Sequence, residues 1–408
     1  MMIERLLNTA ISNLNDICDL GGRLAGTEAE RRALELAAAK LQAGGGEIRK
    51  HPVTYDGWSC DHVGILIDGS PHPAVALPGS IALPGGAADL EVVDAGRGTM
   101  EEIEALAPVI PGRAVMVRHE YMFAPDHIHR CKKSKRILEL GAALFIVANP
   151  DPASGPVTGG IMPAMPGIGV DHATSLVLVN AAASRKPVRF ELSAGRRAMQ
   201  TETLDLLVPP SSGAATQEIV ICAHIDGHSI SESAMDNASG AAVLLALAEH
   251  YQQNPLETLA LRFLVFSAEE IALCGSEAYV ANLAAEDRQK IRAVLNLDCV
   301  AGDLNFGAIT NGFDCMASLV TGAAEALGQK VKLFNQLVRN SDHHAFAAAG
   351  IPALRLTAGF GQRESRLRYV LTGGDMRDLI GTEEVSLALR LTREMVRLLA
   401  SEPARKEG

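Results

Sequence analysis

A chain of 408 residues is too long for one ordinary hydrophobic core, so two domains are the first expectation. Apolar residues make up 48% and charged residues 21%, a globular balance, while aromatics at 4% are too sparse to line a surface that stacks single-stranded nucleic acid. With 37 Lys+Arg against 48 Asp+Glu, the formal charge of −11 argues against DNA and anionic membranes as partners.

Taken in chain order, the N-terminal MMIERLLNTAISNLNDICDL has no basic stretch leading into an apolar core, so no secretory signal is read there. No apolar run approaches a membrane span. The 7 cysteines are odd in number and irregularly spaced, with no CxxC pair, so free thiols in a reducing cytoplasm are expected. Thr27 and Glu30 fit a capping box at the start of a helix over 30–43, stopped by Gly44, Gly45 and Gly46. EIRKHPVTY (47–55) reads as a strand, with Pro52 favouring an edge position. From 57 to 199 short strand-like runs alternate with Gly and Pro, which predicts an inserted β-rich domain with one helix at 132–142. LLVPPSSGAATQ (206–217) reads as a return linker.

Beyond 217 strand and helix alternate. Strands are expected at 218–226, 258–266, 291–300, 330–336 and 351–359, and helices at 239–251, 276–284, 313–328, 343–350 and 383–401. Near-continuous apolar strands separated by helices predict an α/β fold, an α/β/α sandwich on a mixed, mainly parallel sheet. In such sheets, sites form beyond the carboxyl ends of the strands.

The polar residues fall at those ends. His224 and Asp226 close the first strand, Asp236 lies in the loop after it, Glu269 and Glu270 close the second, and Asp298 ends the third. One such acid is an ordinary solvated loop residue or helix cap. This many on three successive strands is a ligand set for zinc or a similar divalent ion, with a spare carboxylate to act as general base.

The stretches HID (224–226), AMDNASGAAVLLALA (234–248), FSAEEIALCGSEAYV (266–280), NLD (296–298) and SDHHAF (341–346) resemble the M28 zinc aminopeptidases. GGRLAGTEAERRA (21–33) is similar to their N-terminal segment, and the middle region resembles an inserted protease-associated (PA) domain. The resemblance divides the chain into a catalytic domain at 1–56 and 200–408 and a PA-like domain at 57–199. It implies that His224 and Asp298 bind one metal, Asp236 bridges two, Glu270 binds the other, Glu269 is the general base and Asp226 orients His224. It also implies a cis peptide at Asp236–Asn237.

One position departs from the pattern. Where the family has its last ligand, a His in an HTxxD pattern, this chain has Leu371 in VLTGGD, and an aliphatic side chain cannot ligate a metal. Three readings stay open: one metal at His224, Asp236 and Asp298; a substitute ligand among His228, His343, His344 and Glu364; or a degenerate site. His343 and His344 follow Ser341, an expected helix N-cap. Arg363, Arg366 and Arg368 form a basic loop able to meet a carboxylate-bearing substrate.

The function expected is a cytoplasmic metal-dependent hydrolase of amide bonds, an aminopeptidase or dipeptidase-type exopeptidase on small substrates. It would use one or two Zn2+, with Co2+ or Mn2+ as alternatives. A homodimer is compatible with this, and neither nucleic acid nor membrane is a partner. The alternatives are a one-metal hydrolase or acyl-transfer enzyme on a non-peptide amide, and a non-catalytic binding protein.

Overall fold

The computed structural model describes residues 2–213 and 215–402; residue 214 of the expected linker lies outside the described residues. The chain forms two compact units. The first comprises Met1–Tyr55, Gln200–Leu367 and Met376–Gly408, and the second Asp56–Met199 with Arg368–Asp375.

The first unit is built on a mixed sheet. Its order is Lys332–Phe334, Phe306–Ile309, Ala353–Ala358, Ile291–Leu297, Glu218–His224, Ala260–Phe266, then the 200–208 part of Val188–Val208 and the 48–55 part of Ile48–Ile67. Glu218–His224 pairs in parallel with Ala260–Phe266 on one side and Ile291–Leu297 on the other, and Ile291–Leu297 pairs in parallel with Ala353–Ala358. The outer pairings of Ala260–Phe266 with Leu204–Val208 and of Ala353–Ala358 with Phe306–Ile309 are antiparallel.

All seven residues of Glu218–His224 are buried, because helices cover both faces. On one face Val220 and Cys222 pack with Tyr279, Val280 and Phe346 of the helices Cys274–Asn282 and His343–Ala348. The opposite layer centres on the helix Ser239–Gln253, which packs against Met2–Cys18, Glu28–Gln42 and Thr382–Ser401. Ser239–Gln253 is apolar nearly all round, as a helix buried on every side must be. The expected α/β/α sandwich is the observed one.

Several local expectations change. Met2–Cys18 is a helix burying Leu6, Ala10, Leu14 and Ile17 along one stripe. The strand Phe306–Ile309 went unread because four residues are too few to show a period. Thr27 does cap Glu28–Gln42, its Oγ1 accepting from Glu30 N at 3.3 Å. The reciprocal half of the capping box is absent: the buried Glu30 carboxylate accepts instead from Ser267 Oγ at 2.7 Å and from Thr201 Oγ1.

The second unit has a five-stranded sheet in the order Val75–Ala76, Gly167–Val170, Leu144–Ala148, Ala114–Arg118, Val92–Asp94, parallel except at its first pair. Its core gathers Val115, Val117, Ile137, Phe145 and Val147. Three α-helices belong to it, Met100–Ala105, Arg130–Glu139 and His172–Ser184, where the sequence predicted one. Asp171, whose Oδ1 accepts from Thr174 N at 2.7 Å, is the cap that marks the last of them.

Candidate metal centre

Three neighbouring parallel strands end on one edge of the first unit's sheet, and each delivers a polar residue there. His224 is the last residue of the central strand, Asp298 follows the last residue of Ile291–Leu297, and Glu269 and Glu270 follow Ala260–Phe266 by a short turn. Asp236 comes from the loop that leads into Ser239–Gln253. This edge is where a doubly wound sheet opens a crevice.

His224 is the hub and is fully buried. Its Nε2 lies 3.3 Å from Asp236 Oδ1, 3.8 Å from Asp298 Oδ1 and 4.0 Å from Glu269 Oε2. Despite these three carboxylates, Nε2 makes no hydrogen bond among the described residues. Ligand atoms of His224, Asp236 and Asp298 all lie within 4.8 Å of one another. Burial pushes the His224 imidazole towards its neutral form, yet the surrounding Glu269, Asp226, Asp236 and Asp298 outweigh that and raise its pKa well above the ordinary value. The cluster thus gathers several carboxylates around one buried imidazole, an environment that favours positive charge at its centre. An imidazole with two carboxylates is a donor set that suits zinc.

The surroundings hold these groups in place. Asp226 is fully buried; its Oδ1 lies 3.5 Å from His224 Nδ1, and its two oxygens accept from Glu269 N and Glu270 N, each at 3.2 Å. Asp226 thus aims the imidazole, whose Nδ1 lies 3.2 Å from its backbone carbonyl, and with its carboxylate the turn that carries the two glutamates. The peptide Asp236–Asn237 is cis. The side chain of Asn237 donates to Leu297 O at 2.8 Å and accepts from Cys299 N at 3.2 Å, so it clasps the backbone on either side of Asp298. A side chain at Gly240 would meet Leu297 O at 2.2 Å, which is why the helix start can come so close.

Burial raises the pKa of Glu269; the nearby Glu270 and Asp298 add to the rise, and His224 opposes it. Glu270 is raised by burial and by Asp236, against His228. Burial also works against ionised Asp298, but the Arg355 guanidinium, 3.1 Å from its Oδ1, together with His224 holds its pKa well below the usual range.

Of the candidate substitute ligands, the structure brings only His228 against a carboxylate of this cluster, with Nε2 3.0 Å from Glu270 Oε1. His343 is buried near Arg355 and Asp298, with a pKa pushed down to about 3 by burial and by Arg355. His344 faces Arg339 and Glu277 instead. Arg363 and Glu364 are exposed on the turn after Ala353–Ala358. Arg366 donates to Glu384 and to Leu379 O, so it is committed to the fold rather than to a substrate. Ser341 is not the cap of His343–Ala348; Asp342 holds that position, and Ser341 Oγ accepts from Asn296 Nδ2 at 2.6 Å. Leu371 belongs to the second unit, with φ +62° and its carbonyl accepting from Thr158 N at 2.8 Å.

Four supporting residues were not read from the sequence. Arg23 is fully buried and donates to Ile225 O at 2.6 Å, Ser233 O at 2.9 Å and Glu232 O, pinning the loop that carries Asp226 and His228. Arg355, Asp342 and Asn237 complete the set. A charged residue inside an apolar strand, as in IPALRLTAG, was the available signal for Arg355.

Residues 207–375 match the profile of Peptidase family M28. An aminopeptidase of Pseudomonas aeruginosa is 36% identical over 108 residues, 26% of this chain and 20% of that protein. Aminopeptidase YwaD of Bacillus subtilis is 27% identical over 175 residues, 42% of this chain and 38% of that protein. The chain thus spans well under two thirds of the length of the curated relatives it matches. Among solved structures, BSAP, a zinc aminopeptidase from Bacillus subtilis, superposes with a TM-score of 0.79 at 21% identity, covering 98% of this chain and 96% of that one. A Peptidase M28 precursor from Shewanella amazonensis superposes with a TM-score of 0.78 at 22% identity, over 100% and 98% of the two chains. The segment that matches the Peptidase family M28 profile, residues 207–375, is the one that carries each of the expected ligands.

Proposed function

We propose that this protein is a metal-dependent hydrolase that removes residues from the free amino end of small peptides. The observation that carries the reading is the buried His224–Asp236–Asp298 cluster with Glu269 beside it. The profile match over residues 207–375 and the similarity to aminopeptidases support the same chemistry.

His224, Asp236 and Asp298 are the residues to hold a zinc ion, and Asp226 keeps the His224 ring oriented. The ion, when bound, supplies Lewis acidity to the scissile carbonyl and to water. Glu269 is the general base in this reading. Its carboxylate takes the proton of the attacking water and returns it to the leaving amine nitrogen, and a pKa raised by burial suits a group that must do both near neutral pH. The substrate class expected is a short peptide or small amide rather than a folded protein. Catalysis is assigned to 1–56 and 200–408 and a PA-like role to 57–199, a division that the two compact units support. A cytoplasmic setting is part of the proposal.

The test is hydrolysis of aminoacyl-4-nitroanilides and dipeptides by zinc-loaded protein, beside N-acylated analogues. Glu269→Gln is expected to lower kcat by about 10²–10⁴ while metal content stays unchanged. Activity on N-acylated amides alone would overturn the aminopeptidase assignment.

A further inference from the structure

Glu269 sits on a turn that a chain does not adopt freely. Ala268, Ala272 and Leu273 all have positive φ, at +57°, +62° and +63°, the left-handed region that residues with side chains rarely enter. Such residues persist only where their surroundings over-determine the backbone. From within the turn, Leu273 N donates to Glu269 O and Cys274 N to Ala268 O, each at 2.9 Å. From the loop after the central strand, Asp226 accepts from Glu269 N and Glu270 N.

The entry to the turn is held from much further away. Ser267 lies between the strand Ala260–Phe266 and the left-handed Ala268, and it is fully buried. Its Oγ donates at 2.7 Å to Oε1 of Glu30, 237 residues distant on the helix Glu28–Gln42. The same oxygen accepts from Thr201 Oγ1, so one carboxylate atom joins the helix, the 200–208 strand segment and the turn. A glutamate three residues past a helix cap ordinarily reaches back to the cap's own amide. Glu30 instead lies in the interior, 3% exposed, where burial raises its pKa against the pull of the two hydroxyls. What its burial secures is the residue two positions before Glu269.

We propose that Glu30 is a positioning residue for Glu269: its Oε1 anchors Ser267 and so keeps the turn in the conformation that sets Glu269 Oε2 4.0 Å from His224 Nε2. The proposal rests on the reading of Glu269 as the general base. Glu30 acts here through hydrogen bonds at one oxygen and not through its charge. Glutamine keeps that oxygen as an acceptor and leucine does not, which separates the two causes.

The experiment pairs aminoacyl-4-nitroanilide kinetics of the zinc-loaded, full-length protein with hydrogen exchange of the metal-free protein, read by mass spectrometry over 266–273. Glu30→Leu is expected to lower kcat by about 10–10²-fold with KM and zinc content unchanged, and to speed exchange in the turn by about tenfold. Glu30→Gln should stay within about twofold of the unaltered protein in both readouts. Ser267→Ala should match Glu30→Leu, and the double variant should lose no more than either alone. Thr201→Val is the control. It removes the other hydroxyl from the same oxygen without touching the turn, so it should lower stability and leave kcat and turn exchange unchanged. If Glu30→Leu does not fold, the contrast between Ser267→Ala and Thr201→Val decides. Equal losses of kcat in those two would mean that Glu30 acts through general stability, and would overturn the proposal. Glu30→Gln as impaired as Glu30→Leu would also overturn it. Full kcat in Ser267→Ala would overturn the role of Glu30 and leave the hydrolase reading intact. Hydrolysis by no form, the unaltered protein included, would overturn both.

Discussion

Arg355 and Asp298 are both buried, with Nη2 3.1 Å from Oδ1, and a second donor of the same guanidinium reaches Asn340 O at 2.7 Å. Breaking such a pair from one side leaves a charge stranded in low dielectric. Arg355→Met is expected to cost about 3–5 kcal/mol in urea unfolding of the metal-free protein at pH 7. Asp298 has a folded-state pKa below its unfolded value, so the stabilisation it provides is complete above the ordinary carboxylate range and is lost as pH falls through the lowered value. The acid limb of the stability profile should accordingly flatten in Arg355→Met. Asp342 has the opposite sign. Burial, aided by Asp226 and Asp298, lifts its carboxyl to about 7 against the pull of His224 and Ser276. Its ionisation then opposes folding, and stability is lost as pH rises towards that value. Asp342→Asn should stabilise the metal-free protein by about a few kcal/mol at pH 8, a gain that shrinks towards pH 4. A pH-independent effect of Asp342→Asn would rule out this origin.

At the scale of elements, the connection after Glu218–His224 is irregular until the single helical turn Ala234–Ala238, yet it carries Asp226, His228 and Asp236. Arg23, from the turn between the first two helices, supplies the donors that this loop lacks, across 202 residues of sequence to Ile225. Arg23→Met is expected to weaken zinc binding at least about tenfold through loop disorder, because it strands buried carbonyls at about 1–3 kcal/mol each. Competition with a chromogenic chelator measures this. Thr27→Ala is the matched control. It removes a helix cap next door, should cost about 1 kcal/mol, and should leave zinc affinity unchanged. Equal effects of the two on affinity would mean that Arg23 acts through general stability rather than through the loop.

For the whole molecule, two compact units imply two unfolding events, and the proposed ligands belong to only one of the units. Calorimetry with and without chelator should therefore show one transition that moves and one that does not. Zinc at about 100 times its dissociation constant stabilises the folded state by about 2.7 kcal/mol, which corresponds to a few degrees in the moving transition. A single transition, or two that shift together, would mean that the units unfold as one.

Much of this protein was legible because its determinants are local. The parallel strands showed as apolar runs, the helices as periodic ones, and His224, Asp226, Asp236, Glu269, Glu270 and Asp298 stood out as polar residues at the ends of runs that should be buried. Those ends meet because neighbouring parallel strands bring their carboxyl termini to one edge, so the strand pattern alone was enough to gather them. The rest depends on contacts that no window of sequence contains. Glu30 looked like half of a capping box, and only the approach of Ser267, 237 residues away, turned its carboxylate inward. Arg366 looked like part of a basic loop, and only the approach of Glu384 committed it to the fold. The pairing of His228 with Glu270 joins two loops that follow different strands, and a sequence reading could offer His228 only as one of several candidates. Local propensity and burial pattern are properties of a segment. The partner of a buried charge is a property of the packed interior, and only the tertiary structure decides it.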